Sequence, residues 1–109
     1  MQEINQAVPR HVKNNLVFHE IDQISANFFN TALITSNGQL LMHGSNFCNQ
    51  LCCSEEIWNY LKFFPEFKPV DFEPGVVVTQ VAIGEAHVYA LAEFEGQKRV
   101  YGWGRCLAG

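Results

Sequence analysis

The sequence contains one strand-and-turn pattern twice, and this internal repeat limits the folds open to the chain. The clearer copy covers residues 78–104, where runs of β-branched and aromatic residues alternate with glycines. Such runs between glycines are typical of short strands joined by tight turns. The earlier copy covers residues 21–44. A repeat of nearly 60 residues that holds several strands in each unit predicts a propeller or a solenoid.

The offset between the two copies changes along the repeat. It is 57 residues in the first strand, 58 at the Ala-Leu pairs Ala32-Leu33 and Ala90-Leu91, and 60 at the closing glycines Gly44 and Gly104. We therefore expect one residue to be gained before the Ala-Leu pair. Two more residues are then gained in the hairpin turn that follows, which is Asn37-Gly38 in the first copy and contains Gly96 in the second.

Eight residues of the second copy match the motif of a known repeat. In chain order they are Gly84, His87, Ala90, Leu91, Gly96, Tyr101, Trp103 and Gly104. Their order is Gly-x-x-His-x-x-Ala-Leu, a turn that ends in glycine, and an aromatic strand that ends in Trp-Gly. In this order the chain resembles the regulator of chromosome condensation family. The resemblance implies an all-β fold: about two blades, and so a part, of a seven-bladed β-propeller.

The first copy is a degenerate version of the same motif. It keeps Ala32, Leu33, Gly38, Gly44, Asn46, Gln50 and Leu51. It has Asn27 in the place of the first glycine and His43 in the place of the tryptophan. Either Phe29 or Asn30 stands in the place of the histidine.

The resemblance divides the chain into four parts. Residues 1–20 are a lead-in from a preceding repeat, residues 21–53 the degenerate repeat, residues 54–75 an insertion between blades, and residues 76–109 a truncated second repeat. A full propeller needs several hundred residues, so we expect a fragment or an ordered portion of a longer protein. The alternative is a short protein that completes its open sheets against a partner.

The insertion between the blades is rich in aromatic residues and predicts a short helix. Ser54 is a suitable N-cap, acidic residues follow it, and apolar residues recur at helical spacing as far as Phe64. Pro65 ends this pattern. The aromatic residues Trp58, Tyr60, Phe63 and Phe64 are candidates for partner binding, because aromatic side chains in a loop on a rigid scaffold anchor interfaces. Packing over the blades is the alternative.

Composition argues against several classes of function. The chain has 11 acidic and 7 basic residues, a formal charge of −4, and no basic run that would bind nucleic acid phosphates. No apolar stretch approaches the roughly 20 residues of a membrane span, and the amino terminus lacks the pattern of a signal peptide. We therefore expect reduced cysteines and an intracellular location, with cytoplasm, nucleus and cilium not distinguished.

No motif predicts a catalytic, cofactor or metal site. His87 has no acid or nucleophile at a fixed spacing, which favours a structural role. The one metal-like cluster, His43 with Cys48, Cys52 and Cys53, lacks the second pair of ligands that a zinc site needs. We therefore expect no catalytic residue, no cofactor and no bound metal.

The resemblance implies a rigid protein-binding platform. We expect a non-catalytic interaction scaffold in a larger complex, with one or more protein partners. One alternative is part of a guanine nucleotide exchange factor for a Ran-like small GTPase, which would be the chain's one enzymatic role. Another is the propeller segment of a ubiquitin ligase or kinase.

Overall fold

A computed structural model of the chain describes residues 8–9, 20–46 and 63–104, and of residues 63–65 it describes the backbone alone. This part forms two antiparallel β-sheets. The first sheet contains, in spatial order, β1 (Ile21–Asn27), β2 (Asn30–Thr35), β3 (Leu40–Ser45) and β4 (Phe63–Pro69). The second sheet contains β5 (Val77–Ile83), β6 (His87–Phe94) and β7 (Gln97–Gly104).

The all-β class predicted from the sequence is confirmed. The helix predicted in the insertion falls on residues 54–62, which lie outside the described residues, and on Phe63 and Phe64, where the prediction is wrong. These two residues belong to β4, which pairs with β3 at the edge of the first sheet. Pro69 ends this edge strand, a position where a residue without an N–H group is tolerated.

The two sheets repeat one pairing scheme at a constant offset of 57 residues through their first two strands. Ile24 faces Leu33 in the first sheet as Val81 faces Ala90 in the second, and the other pairs follow the same step. Both first strands also have a bulge at the same step of the pairing. The internal repeat is therefore a structural repeat.

This pairing corrects the alignment made from the sequence. No residue is gained before the Ala-Leu pair, and all three extra residues of the second repeat lie in its β6–β7 hairpin. Leu33 therefore takes the place of Ala90. Asn30, and not Phe29, takes the place of His87, since each lies opposite the glycine near the end of the third strand.

The two long hairpins turn in different ways. In the first, the N–H of Gly38 donates to the Thr35 carbonyl over 2.9 Å, and only Gly38 has a positive φ, of 85°. Asn37 keeps a negative φ, so the Asn-Gly pair does not form a type I′ turn. In the second, Glu95 and Gly96 both have positive φ, 53° and 80°, as a two-residue type I′ turn requires.

The two sheets pack face to face around one apolar core. Its buried members are Ala32, Ile34, Leu40 and Met42 of the first sheet, Val78, Ile83, Val88, Ala90 and Ala92 of the second, and Val70 of the segment that connects β4 to β5. Small residues on β6 allow the sheets to approach closely. Leu33, Leu41 and Phe67 form a separate cluster on the opposite face of the first sheet.

Hydrogen bonds also join the two sheets. The side-chain amide of Gln23 donates to the Thr79 carbonyl over 2.8 Å. The N–H of Val78 donates to the Gly38 carbonyl over 2.9 Å. These directional bonds add to the non-directional apolar core, so they fix how the sheets lie against each other.

The segment between β4 and β5 is held against β7. Phe72 lies edge-on to the rings of Tyr101 and Trp103, with ring centres 5.1 and 5.7 Å away. The carboxylate of Glu73 accepts hydrogen bonds from the Tyr101 hydroxyl over 2.8 Å and from Arg99 over 3.2 Å. A turn that begins at Glu73 brings the chain into β5.

Candidate interaction surface

The motif glycines at the ends of the third strands lie where another backbone passes very close. Gly44 and Gly104 have φ of 118° and 116°, in the region that favours glycine. A Cβ on Gly104 would lie 2.7 Å from the Cα of His87, and one on Gly44 would lie 3.0 Å from the Cα of Asn30. These glycines therefore serve the fold, because they let the hairpin tip close over the strand end.

The Gly-His pair of the motif and its replacement in the first repeat are two solutions to one packing problem. A Cβ on Gly84 would lie 2.6 Å from Nε2 of His87, so the ring occupies the space of a side chain. The first repeat has Asn27 and Asn30 at these places. Asn30 is buried and its amide donates to the Ser45 carbonyl over 2.8 Å. Without a ring beside it, Asn27 can carry a side chain.

The two histidines within the sheets have structural surroundings. His87 lies beside Tyr89, with ring centres 5.6 Å apart, and Nδ1 of His87 is buried with no hydrogen-bond partner among the described residues. His43 packs on Phe67, with ring centres 4.4 Å apart. Burial of the His43 ring lowers its pKa below the usual value. The burial of His43 favours its neutral imidazole, and both histidine rings are packed against a neighbouring aromatic ring.

Several residues singled out in the sequence lie outside the described residues. They are Gln50, Leu51, Trp58, Tyr60 and the four cysteines. The backbone of Phe63 and Phe64 pairs with Ser45 and Gly44 in the first sheet. In the described ranges no group of three His, Cys, Asp or Glu side chains could hold a metal.

The outer face of the second sheet carries apolar side chains that the first sheet buries. Its exposed or half-exposed members are Tyr89, Leu91 and Val100, around a shallow depression of about 220 Å³. The equivalent positions of the first sheet are Ala32, Ile34 and Leu40. These three side chains are buried against the second sheet. This face therefore corresponds to the surface that a following blade covers in a propeller.

The outer face of β1 is the complementary case. Ile21 and Ile24 are well exposed there, with 69% of Ile24 accessible. The residues 57 positions later, Val78 and Val81, pack into the core between the sheets. Exposed apolar residues on these two outer faces thus follow from blade geometry and do not by themselves mark a partner site.

Blade geometry does not account for the exposure of Phe28, since its counterpart Glu85 in the second repeat is also exposed, whereas Ala86, the counterpart of Phe29, is buried. The tip of the β1–β2 hairpin consists of Phe28 and Phe29, which are 58% and 73% exposed. Phe28 also has a φ of 53°, in the left-handed region that an aromatic residue seldom adopts. Neither residue is among the partner-binding candidates predicted from the sequence, which lie in the insertion between the blades. The available signal was a Phe-Phe dipeptide at a tight turn, where the repeat motif has no aromatic residue.

The comparisons with known proteins agree with this architecture. No protein-family model and no curated protein matches the chain. Among solved structures, the chain is similar to yeast RCC1 (Prp20) in its crystal structure bound to Kap60, with a TM-score of 0.64 and 22% sequence identity. The fold is that of an RCC1-like propeller. The alignment covers 78% of this chain and 18% of yeast RCC1, so the chain spans a small part of that protein's length.

The two sheets are therefore about two blades of an RCC1-like β-propeller. The first blade has four strands, and the described part of the second has three. In the described ranges of this RCC1-like chain, no helix is long and apolar enough to cross a membrane.

Proposed function

We infer that this chain is part of a non-catalytic protein-interaction scaffold within a larger complex. The observation that carries the proposal is an exposed aromatic pair, Phe28 and Phe29. It lies at a hairpin tip of the first of two sheets that pack around a shared apolar core. Recognition residues commonly lie on connecting segments that a rigid scaffold positions. Yeast RCC1, whose fold this chain resembles, has been solved bound to Kap60, which supports a protein-binding role for the fold.

The test uses the complete polypeptide that carries this sequence, purified at low ionic strength from the cells that produce it naturally. We expect it to elute with one or more proteins at fixed stoichiometry, measured by light scattering and intact-complex mass spectrometry. Elution of the polypeptide without any partner, at low as well as at high ionic strength, would contradict the scaffold proposal. Fractionation of the same cells by compartment, with detection of the polypeptide in each fraction, tests the expected intracellular location.

The finer alternative is guanine nucleotide exchange on a Ran-like small GTPase. An exchange factor must displace the phosphate and metal contacts of the GTPase, which requires a projecting wedge on a broad face. The assay is release of fluorescent GDP from a purified Ran-like GTPase with the complete polypeptide in catalytic amount. Faster release of GDP would reject the proposal that the chain is a scaffold without exchange activity. If the release rate is unchanged and the polypeptide still forms a stable protein complex, the scaffold proposal is favoured.

A further inference from the structure

The turn at the β1–β2 hairpin tip requires a backbone conformation that is unfavourable for the residue in it. Two-residue hairpin turns with a positive φ at their first position normally have glycine there. Phe28 holds that position, with a φ of 53° and more than half of its surface exposed. Such a conformation costs free energy, and the ring gains little burial in return. Folding alone therefore does not account for the choice of Phe28.

The second repeat provides an internal comparison. Glu85 and Ala86 stand at the places of Phe28 and Phe29. Glu85 is exposed even though the first sheet packs on the adjacent face of its sheet, whereas Ala86 is only 7% exposed. The comparison therefore bears on Phe28. A neighbouring blade thus leaves this tip position open to solvent, so packing of a further blade against the first sheet would not explain Phe28.

Hydrogen bonds hold the aromatic tip in place on both sides. The side-chain oxygen of Asn27 accepts from the N–H of Phe28 over 2.9 Å, and its amide donates to the Ile83 carbonyl over 3.2 Å. On the other side, the N–H of Ser45 donates to the Phe29 carbonyl over 3.0 Å. A partner therefore meets the tip already ordered, which reduces the entropy lost on binding.

The surroundings define the partner's chemistry. The Asn27–Ile83 bond brings the aromatic tip close to the tip that carries Glu85. Glu85 is exposed at that neighbouring tip. An exposed carboxylate beside the rings attracts a basic group of a protein surface and repels the anionic headgroups of a membrane.

We propose that Phe28 and Phe29 form a rigid aromatic anchor for a partner protein. The two rings enter an apolar pocket of that partner, and a lysine or arginine at the pocket rim faces Glu85. Buried aromatic anchors surrounded by a polar rim carry most of the affinity in many interfaces. This proposal rests on the scaffold function proposed above and assigns its contact site.

The chain offers a matched pair of variants for the test. Phe28→Gly removes a ring and relieves the backbone, whereas Glu95→Gly relieves the same φ of 53° at the tip of the β6–β7 hairpin without removing a ring. We expect neither variant to lower the melting midpoint. A fall confined to Phe28→Gly would show that the ring serves folding and would overturn the proposal.

Photocrosslinking identifies the partner. The complete polypeptide carries p-benzoylphenylalanine at position 28 in one sample and at position 95 in another, and both are irradiated in the parent cells. A defined protein attached only through position 28 is expected, and it is then purified. Its dissociation constant should rise at least about tenfold with Phe28→Gly and stay unchanged with Glu95→Gly. Glu85→Gln should weaken the dependence of binding on salt.

Other results would overturn the proposal in distinguishable ways. If complexes persist at unchanged affinity with Phe28→Gly, the scaffold stands and the anchor is wrong. If no protein complex forms with the parent chain, the scaffold proposal fails as well. Flotation with phosphatidylcholine vesicles that requires Phe28, together with no protein crosslink at that position, would assign the tip to a lipid surface instead.

Discussion

The side chain of Asn27 donates a hydrogen bond to the Ile83 carbonyl over 3.2 Å and thereby ties the ends of the first strands of the two blades together. Ile83 precedes Gly84, the motif glycine that Asn27 replaces in the first repeat. The departure from the repeat motif therefore has a use. The asparagine joins the blades at a place where a glycine has no side chain to offer.

This relationship predicts a graded effect of substitutions at Asn27. Asn27→Asp keeps the acceptor for the Phe28 N–H and loses the donor to Ile83, while Asn27→Ala loses both bonds. We expect the free energy of unfolding to fall by about 1 kcal/mol for the first variant and by about 1–2 kcal/mol for the second. Urea denaturation followed by tryptophan fluorescence measures both. No loss for Asn27→Asp would contradict a role for the donor, and equal losses for the two variants would contradict a role for the acceptor.

Glycine substitutions should separate crowded strand ends from open turns. Gly104→Ala places a Cβ against the His87 backbone at a φ of 116°, so we expect a loss of about 2–5 kcal/mol of unfolding free energy. Gly96→Ala is the control, because its φ is also positive but no atom lies within 4 Å of the new Cβ. Its cost should stay near 1 kcal/mol. Similar melting curves for the two variants would argue against the close approach at Gly104.

The shared core predicts that one substitution loosens both blades. Met42 is completely buried in the cluster between the sheets, so Met42→Ala should lower the unfolding free energy by about 2–5 kcal/mol. Val100→Ala is the control on the outer face of the second sheet and should change it by less than about 0.5 kcal/mol in the isolated chain. Hydrogen exchange should show faster opening of β6 as well as β2 in the Met42 variant. Opening of β2 alone would mean that the blades are energetically independent.

The buried ring of His43 predicts a pH dependence of stability. Burial lowers its pKa in the folded chain below the unfolded value of about 6.5. The unfolded state therefore binds the proton first, so stability is full above pH 6.5 and is lost as the pH falls through the pKa of the folded state. Denaturant midpoints of the parent and of His43→Gln, measured from pH 7.5 downward, report this effect. The variant should show a shallower dependence, and parallel curves would contradict the role of His43.

Most of the fold could be predicted from local pattern. Alternating glycines and β-branched runs located β1 to β3 and β5 to β7 within a few residues, because strand and turn propensities act over short distances. The register between the two repeats could not be predicted from this local pattern. Ala32 and Leu33 match Ala90 and Leu91 in letters, but backbone pairing places Leu33 at the step of Ala90. Register depends on which face is buried, and single-residue identities do not encode it.

The sequence by itself determined the all-β class, the internal repeat and the glycines that close the strand ends. These follow from steric limits on φ and from side-chain periodicity, which each residue carries with it. Only the tertiary structure decided that Asn30 replaces His87, that Asn27 reaches across to Ile83, and that Phe28 and Phe29 point into solvent. Exposure and contact across 56 residues depend on how two sheets pack, and packing is a property of the folded chain as a whole.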